Sequence, residues 1–598
     1  MSAFFVRVYN FNDWLMFKAD QSRDATIVYQ ALEKGPGKLP LLGPKMSGRI
    51  HIDTDKPDEA HPARLGPLYY YQQYFITRLI GRTDPWVYAL GDLILSSLAI
   101  LLFYYFSRLY FTKDISLVIT ILFAFSFYVI QYARFAWNPN QLLFWELLLM
   151  IGVYKSISAG TKKQRSWWFL ISIVVYGIIS QIHIVAAFGF LPVMIIFWLW
   201  HRPEVYKIIL PVGLLIVFLL YTPVLLSEKY NDWDNSKRLV ATLLEEKKTR
   251  SPWKKIEKLS GRYGEFSAIA LSSVHDREVK AVEGWGKLFY FGTLFVLIFS
   301  WQREKVISLF KRLHQKNEKF LKKIITRQKE KSGIYLQKII DGNKKLSEII
   351  TQLIPRRHLF VDLLLIWAGV YLIIFYKLVE DLNRARYFLV VVPLIFLFLG
   401  FWLSFVKKIF SKRTSQTIVF LLVIFLLTMN TTALSFWHTS LLGYAKNKKH
   451  FRDPKMHYHR GFITLQTMRN SLDYMIKKAD EKNMPICYTN ADYQYNKGME
   501  YLQKVYYPNK AIVKFSDNKI YNDCIYFLTA RLKNGEREIP EKIMNKFSIV
   551  EVQQIGAWNV WQLTPKEGVK TLGSVQNVTP LIDREYRNVV YWEDLWRN

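Results

Sequence analysis

The sequence contains few cysteines and comparatively few acidic residues. Its 598 residues include two cysteines, and neither a Cys-x-x-Cys pattern nor a Cys/His pattern of a zinc site is present. Lys and Arg number 81 against 48 Asp and Glu, which gives a formal net charge of +33. Such a charge can indicate nucleic-acid binding, but these basic residues fall in loops between apolar runs, without a recognisable nucleic-acid module. We therefore predict no nucleic-acid partner.

Nucleotide-binding glycine motifs are also missing, since neither a P-loop nor G-x-G-x-x-G occurs. What the chain has instead is long apolar runs that alternate with charged stretches. About 20 apolar residues cross a bilayer core as a helix. We predict ten spans, in a polytopic α-helical protein of about 10–11 transmembrane helices: Pro85–Tyr110, Ile115–Gln131, Gln141–Lys155, Trp167–Gln181, Ala186–Trp200, Ile208–Leu226, Leu288–Trp301, Leu359–Tyr376, Tyr387–Phe405 and Thr417–Phe436.

The distribution of Lys and Arg predicts the orientation in a cell membrane. The loops 156–166, 302–358 and 406–416 are basic and fall on one side when the spans are threaded alternately, so that side is expected to be cytoplasmic. The segments 1–84 and 227–287, and everything after Trp437, then lie outside. The segment Ala3–Trp14 is apolar but too short to span. Either the N-terminus is translocated or a first helix found in relatives is missing, and we favour the missing helix.

The cytoplasmic segment 302–358 is predicted to contain a basic amphipathic helix. Apolar residues from Val306 to Leu313 and from Phe320 to Ile325 recur at helical spacing. Such a helix would lie on the anionic inner leaflet, although a solvated charged helix would have the same pattern.

After the last span the pattern changes to that of a water-exposed domain. We predict a transmembrane domain over 1–437 and an extracytoplasmic α/β domain over 438–598. Its expected elements are helices Phe462–Ala479 and Asn496–Tyr506, strands Met484–Thr489 and Cys524–Ala530, and a hairpin of Ile549–Gln554 and Asn559–Leu563. Cys487 and Cys524 could form a disulfide in an extracellular domain or remain as two buried thiols, and the sequence leaves both open.

Candidate chemistry lies first in the stretch from Lys18 to Ala25. Asp20 and Asp24 are four residues apart, so a helix would place them on one face with Arg23 beside them. Arg can bind a phosphate with two hydrogen bonds, and a carboxylate can accept a proton or hold a divalent cation. A solvated helix start would have the same pattern.

Two further stretches are predicted to lie on the same side of the membrane. Gly66-Pro67-Leu68-Tyr69-Tyr70 indicates a turn into an interfacial helix with tyrosines at headgroup level. The loop Arg134-Phe135-Ala136-Trp137-Asn138-Pro139-Asn140 provides a cation and two amides at the end of a helix.

These three stretches, in this order, resemble the GT-C superfamily of membrane glycosyltransferases, in particular protein O-mannosyltransferases and the aminoarabinose transferase of lipid A (glycosyltransferase family 39). The resemblance covers roughly the first third of the chain. It implies a sugar donor on a polyprenyl phosphate and transfer on the non-cytoplasmic face, with inversion. Asp20 matches the family's catalytic acidic residue and would be the general base. Asp24 stands where relatives vary, and Arg23 would contact the donor phosphate.

The resemblance and the positions of polar residues give the other expected substrate contacts: Tyr69, Tyr70, Arg134, Asn138, His183, Arg384 and Arg386. His183 could equally cap a helix, and both arginines could be interfacial anchors. Glu146, inside an apolar span, is either functional or a protonated side chain bonded to a neighbouring helix. The expected partners are the polyprenyl-phosphate sugar, membrane lipid and an acceptor protein, lipid or glycan. No cofactor is identified, and a divalent cation stays open.

A transporter or flippase of lipid-linked glycans is the main alternative function. Such proteins commonly have inverted repeats and helices broken near mid-membrane, and the sequence has no convincing internal symmetry. An oligosaccharide ligase or polymerase is a third possibility, whereas the Trp-Trp-Asp-Tyr-Gly motif of oligosaccharyltransferases is absent.

Overall fold

The computed structural model describes residues 1–46, 63–244, 251–273, 280–301, 308, 358–378, 385–445, 463–491, 494–510, 512–531, 539–575 and 589–596. Nine helices among these residues are long and apolar enough to cross a membrane. The prediction of a polytopic helical membrane protein is confirmed. The basic helix predicted within 302–357 falls outside the described residues, apart from residue 308.

The helices before the first span are α1 (Ser2–Val8), α2 (Ala19–Lys34), α3 (Leu68–Ile80) and α4 (Pro85–Tyr88). The following helices, up to the end of the membrane part, are α5 (Leu90–Arg108), α6 (Lys113–Phe125), α7 (Phe127–Gln131), α8 (Leu142–Ser158), α9 (Lys162–Ile182), α10 (Ile184–His201), α11 (Ile209–Tyr230), α12 (Asp234–Leu244), α13 (Pro252–Ser272), α14 (Lys280–Trp301), α15 (Leu359–Lys377), α16 (Val392–Ile409) and α17 (Lys412–Ala445). Helices α11 and α17 are mostly exposed. Their exposed Leu and Phe side chains are suited to lipid.

The predicted span Ile115–Gln131 is divided at Ser126, between α6 and α7. A break in a helix leaves backbone groups without their usual partners, which is costly away from water. Here the Phe127 N–H donates to the Asn430 side chain at 3.0 Å, and the Ala124 carbonyl accepts from Arg7 at 2.9 Å. The Ser126 hydroxyl donates to the Ala270 carbonyl. The break is therefore stabilised by two side chains from distant parts of the chain, Arg7 and Asn430, and by its own Ser126.

Helices α13 and α14 cross at two glycines. A Cβ atom added to Gly286 would lie 2.0 Å from the Gly264 carbonyl oxygen, and one added to Gly264 would lie 2.4 Å from the Glu283 oxygen. Only glycine allows the backbones to approach this closely, as is common where membrane helices cross.

The C-terminal domain, as the structure describes it, is a five-stranded sheet with helices. Its elements are α18 (Leu465–Lys482), β1 (Ile486–Asn490), α19 (Asn496–Tyr506), β2 (Ile512–Lys514), β3 (Ile525–Arg531), α20 (Glu541–Met544), β4 (Phe547–Ile555) and β5 (Trp558–Pro565). The strand order is β2-β1-β3-β5-β4. Strands β2, β1 and β3 are parallel, while β5 is antiparallel to β3 and β4. The predicted helices, strands and Gly-Ala hairpin are confirmed.

The sheet buries both of its faces in different cores. Tyr488, Phe527 and Trp558 belong to the large core shared with the membrane helices. Cys487, Tyr526 and Trp561 belong to a second, smaller core on the other side, as the alternation of side chains along strands requires. In this second core Cys487 and Cys524 form a disulfide, with their Cα atoms 5.7 Å apart. Of the two open alternatives for these cysteines, the structure has the disulfide.

The C-terminal domain is joined to the N-terminal segment, residues 1–46, by backbone hydrogen bonds. Leu465 N–H donates to the Leu15 carbonyl at 3.1 Å, and Gln466 N–H donates to the Asp13 carbonyl at 3.0 Å. The Arg469 guanidinium forms an ion pair with Asp13. The two ends of the chain thus pack together, and they do so around the helix that carries Asp20.

Candidate active site

The predicted cluster of Asp20, Arg23 and Asp24 lies on helix α2, as expected from the spacing. Arg23 Nη1 lies 3.0 Å from Asp20 Oδ1, and Arg23 Nη2 lies 2.7 Å from Asp24 Oδ1. Asp20 is in the first turn of the helix, where the backbone N–H groups favour a negative charge. One guanidinium therefore bridges two carboxylates.

The two carboxylates differ in exposure. The Asp20 side chain is 52% exposed and that of Asp24 is 1% exposed. Burial raises the pKa of Asp24 above its usual value, and the charge of Asp20 adds to this, while Arg23 and the Tyr70 hydroxyl oppose it. Tyr70 donates to Asp24 Oδ1 at 2.9 Å. Asp20 can reach a substrate, whereas Asp24 is suited to hold Arg23 in place.

The tyrosines that follow Gly66-Pro67 begin helix α3, so the predicted turn into a helix is confirmed. Tyr69 and Tyr70 are buried inside the protein, at 1% and 0% exposed, and their predicted position at headgroup level stays a prediction. Tyr69 donates to Asp92 Oδ2 at 2.9 Å, and the same oxygen accepts from the Trp137 N–H at 2.9 Å. The hydrogen bond between a buried hydroxyl and a buried carboxylate avoids the free-energy cost that each group would carry without a partner. Direct substrate contact by these two hydroxyls stays a prediction without structural support.

Asp92 is a buried carboxylate that the sequence analysis missed. It lies in the first turn of α5 and joins α3 to the loop before α8. The available signal was an acidic residue inside a predicted apolar span, the same signal that singled out Glu146.

Glu146 is fully buried in α8, and within the described residues neither of its carboxylate oxygens has a hydrogen-bond partner. One alternative was a protonated Glu146 that is hydrogen-bonded to a neighbouring helix, and the described part of the chain supplies no partner for that bond.

Arg134, predicted to bind substrate, has its guanidinium on the backbone of the N-terminal segment. Nη1 donates to the carbonyls of Val6 and Arg7 at 3.1 and 2.9 Å, and Nη2 donates to the carbonyl of Tyr9 at 2.7 Å. The side chain is 2% exposed. Arg134 therefore anchors the segment that leads into α2.

Asn138 is also engaged in the protein. It donates to the Ile182 carbonyl at 2.6 Å, and this bond ties the loop before α8 to the end of α9. A substrate-binding role for Asn138 stays a prediction.

His183 caps helix α10, which was the alternative to a substrate contact. Its Nδ1 accepts from the Ala186 N–H at 3.3 Å. Burial lowers the pKa of His183 to about 3, with a further contribution from the charge of Arg386. The imidazole is therefore neutral at physiological pH and suited to accept a hydrogen bond.

Arg386 lies over two aromatic rings next to His183. Its guanidinium carbon is 5.0 Å from the Trp137 ring centre and 5.3 Å from that of Tyr387. Its Nη2 is buried without a hydrogen-bond partner among the described residues. The other predicted arginine, Arg384, lies outside the described residues.

Basic residues from distant parts of the sequence gather near Arg23. Lys45 and Lys497 both feel its charge, and Arg64 and Arg238 are close to Lys45. Burial lowers the pKa of Lys45, and the nearby charges of Arg64, Arg23 and Arg238 lower it further. Burial, Arg23 and Lys45 lower the pKa of Lys497 to about 8, against Glu500 and Asp20. Such a concentration of positive charge attracts an anion. Sequence reasoning missed this cluster, because only folding brings its members together.

Lys497 is supplied by the C-terminal domain. Its helix α19 is fixed to the membrane part by Tyr501, which donates to the Thr83 carbonyl at 2.6 Å, and by Tyr506, which donates to Asp84 at 2.8 Å. Lys504 of α19 lies 3.4 Å from Glu33 of α2. The cationic cluster is therefore built from both ends of the chain.

A metal site is not evident in the described part of the chain, where no group of three or more His, Cys, Asp or Glu lies together. Asp20 and Asp24 already share the Arg23 guanidinium. A divalent cation would have to displace that group, so the pair does not fit a metal as it stands.

Residues 60–226 match the family model described as dolichyl-phosphate-mannose-protein mannosyltransferase. The matched segment includes Gly66–Tyr70 and Arg134–Asn140 but not Asp20–Asp24. No curated protein matches the chain.

Two solved structures are similar at low levels. ArnT from Cupriavidus metallidurans bound to undecaprenyl phosphate has 11% identity and a TM-score of 0.39, covering 94% of this chain and 96% of that one. The oligosaccharyltransferase AglB from Archaeoglobus fulgidus, in complex with an inhibitory peptide and a dolichol-phosphate, has 10% identity and a TM-score of 0.45, covering 89% and 68%. These values are too low to support a conclusion about function. The family match over residues 60–226 is what confirms the predicted resemblance of this chain to the GT-C superfamily of membrane glycosyltransferases.

Proposed function

We propose that the protein transfers a sugar from a polyprenyl-phosphate donor to a hydroxyl group of an acceptor, with inversion at the sugar. One observation supports this most directly: an accessible carboxylate, Asp20, is held 3.0 Å from Arg23 inside a cluster of cations. A lipid phosphate leaves readily, so the enzyme has to position an alcohol, accept its proton and stabilise the departing charge.

In this proposal Asp20 is the general base. Its exposed carboxylate accepts the proton of the acceptor hydroxyl as that oxygen attacks the anomeric carbon from the side opposite the phosphate. The bond between the sugar and the phosphate oxygen breaks, and the electron pair leaves with the lipid phosphate. Arg23 binds this phosphate, and Asp24 with Tyr70 keeps the guanidinium oriented.

Lys45 and Lys497 extend the phosphate-binding surface beside Arg23. Burial and, to a smaller extent, the nearby cations lower the pKa of both lysines, so the charged lysines are unfavourable in the free protein. The donor phosphodiester carries one negative charge, which offsets part of this cost on binding. The lipid phosphate gains further negative charge as it departs, so the same cations favour the transfer step more than donor binding.

The proposed reaction takes place on the non-cytoplasmic face, where the C-terminal domain also lies. Asp92 and Trp137 meet near Tyr69 at one end of α5 and α8. The basic residues Lys162, Lys163 and Arg165 lie beyond the other end of α8. Positive residues favour the cytoplasmic side, which supports the opposite side for Asp20 and for the domain packed on it.

The experiment is a sugar-release assay with purified protein and radiolabelled polyprenyl-phosphate sugars, offering mannose, glucose and aminoarabinose in turn. Asp20→Asn should reduce release by about 100-fold or more, because a general base contributes at least that much. Glu33→Gln, at the far end of the same helix, is the matched control and should keep activity. Full turnover by the Asp20→Asn protein would remove Asp20 from the mechanism. Movement of labelled lipid across vesicles without sugar release would favour the flippase alternative.

A further inference from the structure

A separate cavity lies at the end of the membrane helices opposite Asp20. Its volume is about 330 Å³, which is within the lower range of ligand-binding pockets. The lining residues come from the turn between α5 and α6, from α6, from α14 and from α16, and they include Tyr110, Ile115, Leu297, Trp402, Lys407 and Lys408.

The position of the cavity follows from helix α5. The first turn of this helix holds Asp92, next to the Asp24 and Tyr70 network, and its last residue is Arg108, two residues before Tyr110. The helix has 19 residues, so its ends are about 28 Å apart at 1.5 Å per residue. That is close to the thickness of a bilayer core. The cavity is therefore at the other leaflet from the candidate active site.

The chemistry of the cavity is that of an amphiphile site. Its interior is apolar, with Leu297 fully buried, and the Trp402 indole N–H is already satisfied by Thr293 at 2.7 Å. The charged members of its described lining are Lys407 and Lys408, at the end of α16. Lys407 also lies 3.3 Å from the exposed Asp114, so two positive charges face one negative charge at the opening.

We propose that this cavity binds an anionic phospholipid, with part of an acyl chain in the apolar interior and the headgroup phosphate at Lys407 and Lys408. A free phosphate would gain little from the apolar wall, and a zwitterionic lipid would gain little from the lysine pair. An anionic lipid gains from both, and lysines near a membrane surface favour such lipids. The lysines also lie in the last turn of α16, where they stabilise the helix end, and the test separates these two roles.

The test uses the full-length protein, purified and delipidated in detergent. Native mass spectrometry counts retained dioleoyl phosphatidylglycerol and dioleoyl phosphatidylcholine, and thermal unfolding is followed with each lipid and with inorganic phosphate. We expect preferential retention of phosphatidylglycerol and stabilisation by this lipid alone. Equal effects of both lipids, or an equal shift with inorganic phosphate, would contradict a phospholipid site.

Three variants locate the effect. Lys407→Gln/Lys408→Gln should reduce phosphatidylglycerol affinity about tenfold or more. Leu297→Trp, which fills the interior, should reduce it with both lysines present. Lys412→Gln/Arg413→Gln removes two neighbouring exposed cations that do not line the cavity, and it should leave binding within about twofold. Equal losses in the Lys412/Arg413 variant would indicate general surface attraction and overturn the proposal. If the Lys407/Lys408 variant unfolds early even without lipid, Leu297→Trp still decides the outcome.

Discussion

The N-terminal segment and the C-terminal domain pack on each other, but they are stabilised in different ways. The segment buries Trp14, Leu15 and Phe17 in a core that belongs mostly to other elements, and Arg134 holds its backbone. The C-terminal sheet has a second core of its own and a disulfide. The helix that carries Asp20 thus depends on contacts supplied from elsewhere, whereas the domain that supplies Lys497 contains much of its own stability.

The largest effect is expected where the N-terminal segment is anchored. Arg134→Met removes three hydrogen bonds to carbonyls and leaves those carbonyls buried, which should cost about 3 kcal/mol or more in unfolding free energy. Because α2 follows this segment, sugar release should fall as well. Thermal unfolding of purified protein measures the first effect. Arg413→Met, at an exposed position in the first turn of α17, is the control and should cost under about 0.5 kcal/mol. Equal destabilisation by both variants would refute the anchoring role.

The independence of the C-terminal domain can be tested by removing its disulfide. Cys487→Ser/Cys524→Ser opens a loop whose ends are 37 residues apart, and the lost restraint on the unfolded chain is worth roughly 3 to 4 kcal/mol. We expect faster proteolysis of this domain, with the membrane helices still protected. Reductant should reproduce the effect in the parent protein and change nothing in the variant. Unaltered proteolysis would mean that the second core alone determines the stability of the domain.

Substitution of Lys497 tests the contact between the C-terminal domain and the N-terminal segment. Lys497→Ala should weaken binding of undecaprenyl phosphate about tenfold, the effect of losing one charge-assisted contact of about 1.4 kcal/mol. Lys504→Ala removes a lysine two turns along the same helix, paired with Glu33, and should leave this affinity unchanged. If both substitutions weaken binding equally, the effect is one of helix docking rather than phosphate binding. Titration of detergent-purified protein gives the dissociation constants.

The affinity for undecaprenyl phosphate should also depend on pH, because Lys497 titrates near the physiological range. The pKa of Lys497 is about 8 in the free protein, where burial, Arg23 and Lys45 lower it and Glu500 and Asp20 oppose them. An anion binds the protonated form better, so affinity should be full below pH 8 and decline as the pH rises above it. Lys497→Arg keeps its charge and should show a flatter profile. An unchanged alkaline decline in that variant would assign the titration to another group.

The smallest effect is expected from the hydroxyl that orients Asp24. Tyr70→Phe removes one buried hydrogen bond, worth about 1 kcal/mol, and should lower turnover about fivefold with little change in donor affinity. Tyr71→Phe is the control, since that hydroxyl donates to the Pro40 carbonyl and accepts from the Trp592 indole N–H, away from the carboxylates. Equal rates for the two variants would indicate that Arg23 needs no support from Tyr70.

Local patterns predicted most of the membrane helices and the strands of the C-terminal domain, because these depend on neighbours in sequence. They gave no indication of α12 and α13, which lie within the predicted outer segment 227–287. The spacing of Asp20, Arg23 and Asp24 gave their shared helix, and the Gly-Ala turn gave the hairpin of β4 and β5. Nothing local distinguishes Lys45 or Lys497 from other surface lysines, so their convergence on Arg23 could not be predicted. For Arg134 the motif predicted a substrate contact. Its guanidinium instead binds the carbonyls of Val6, Arg7 and Tyr9, and this arrangement depends on tertiary packing that the motif does not reveal.

The hydrogen bond from Leu465 to Leu15 joins positions that are 465 − 15 = 450 residues apart. At about 5–20 residues per second, the ribosome takes on the order of 20–90 s to make the intervening chain. During that time the first residues of the protein lack their backbone partners, and α2 has no α19 to pack against. The order of synthesis therefore keeps the cationic cluster incomplete until most of the helices have entered the membrane, so a chain released early cannot assemble it.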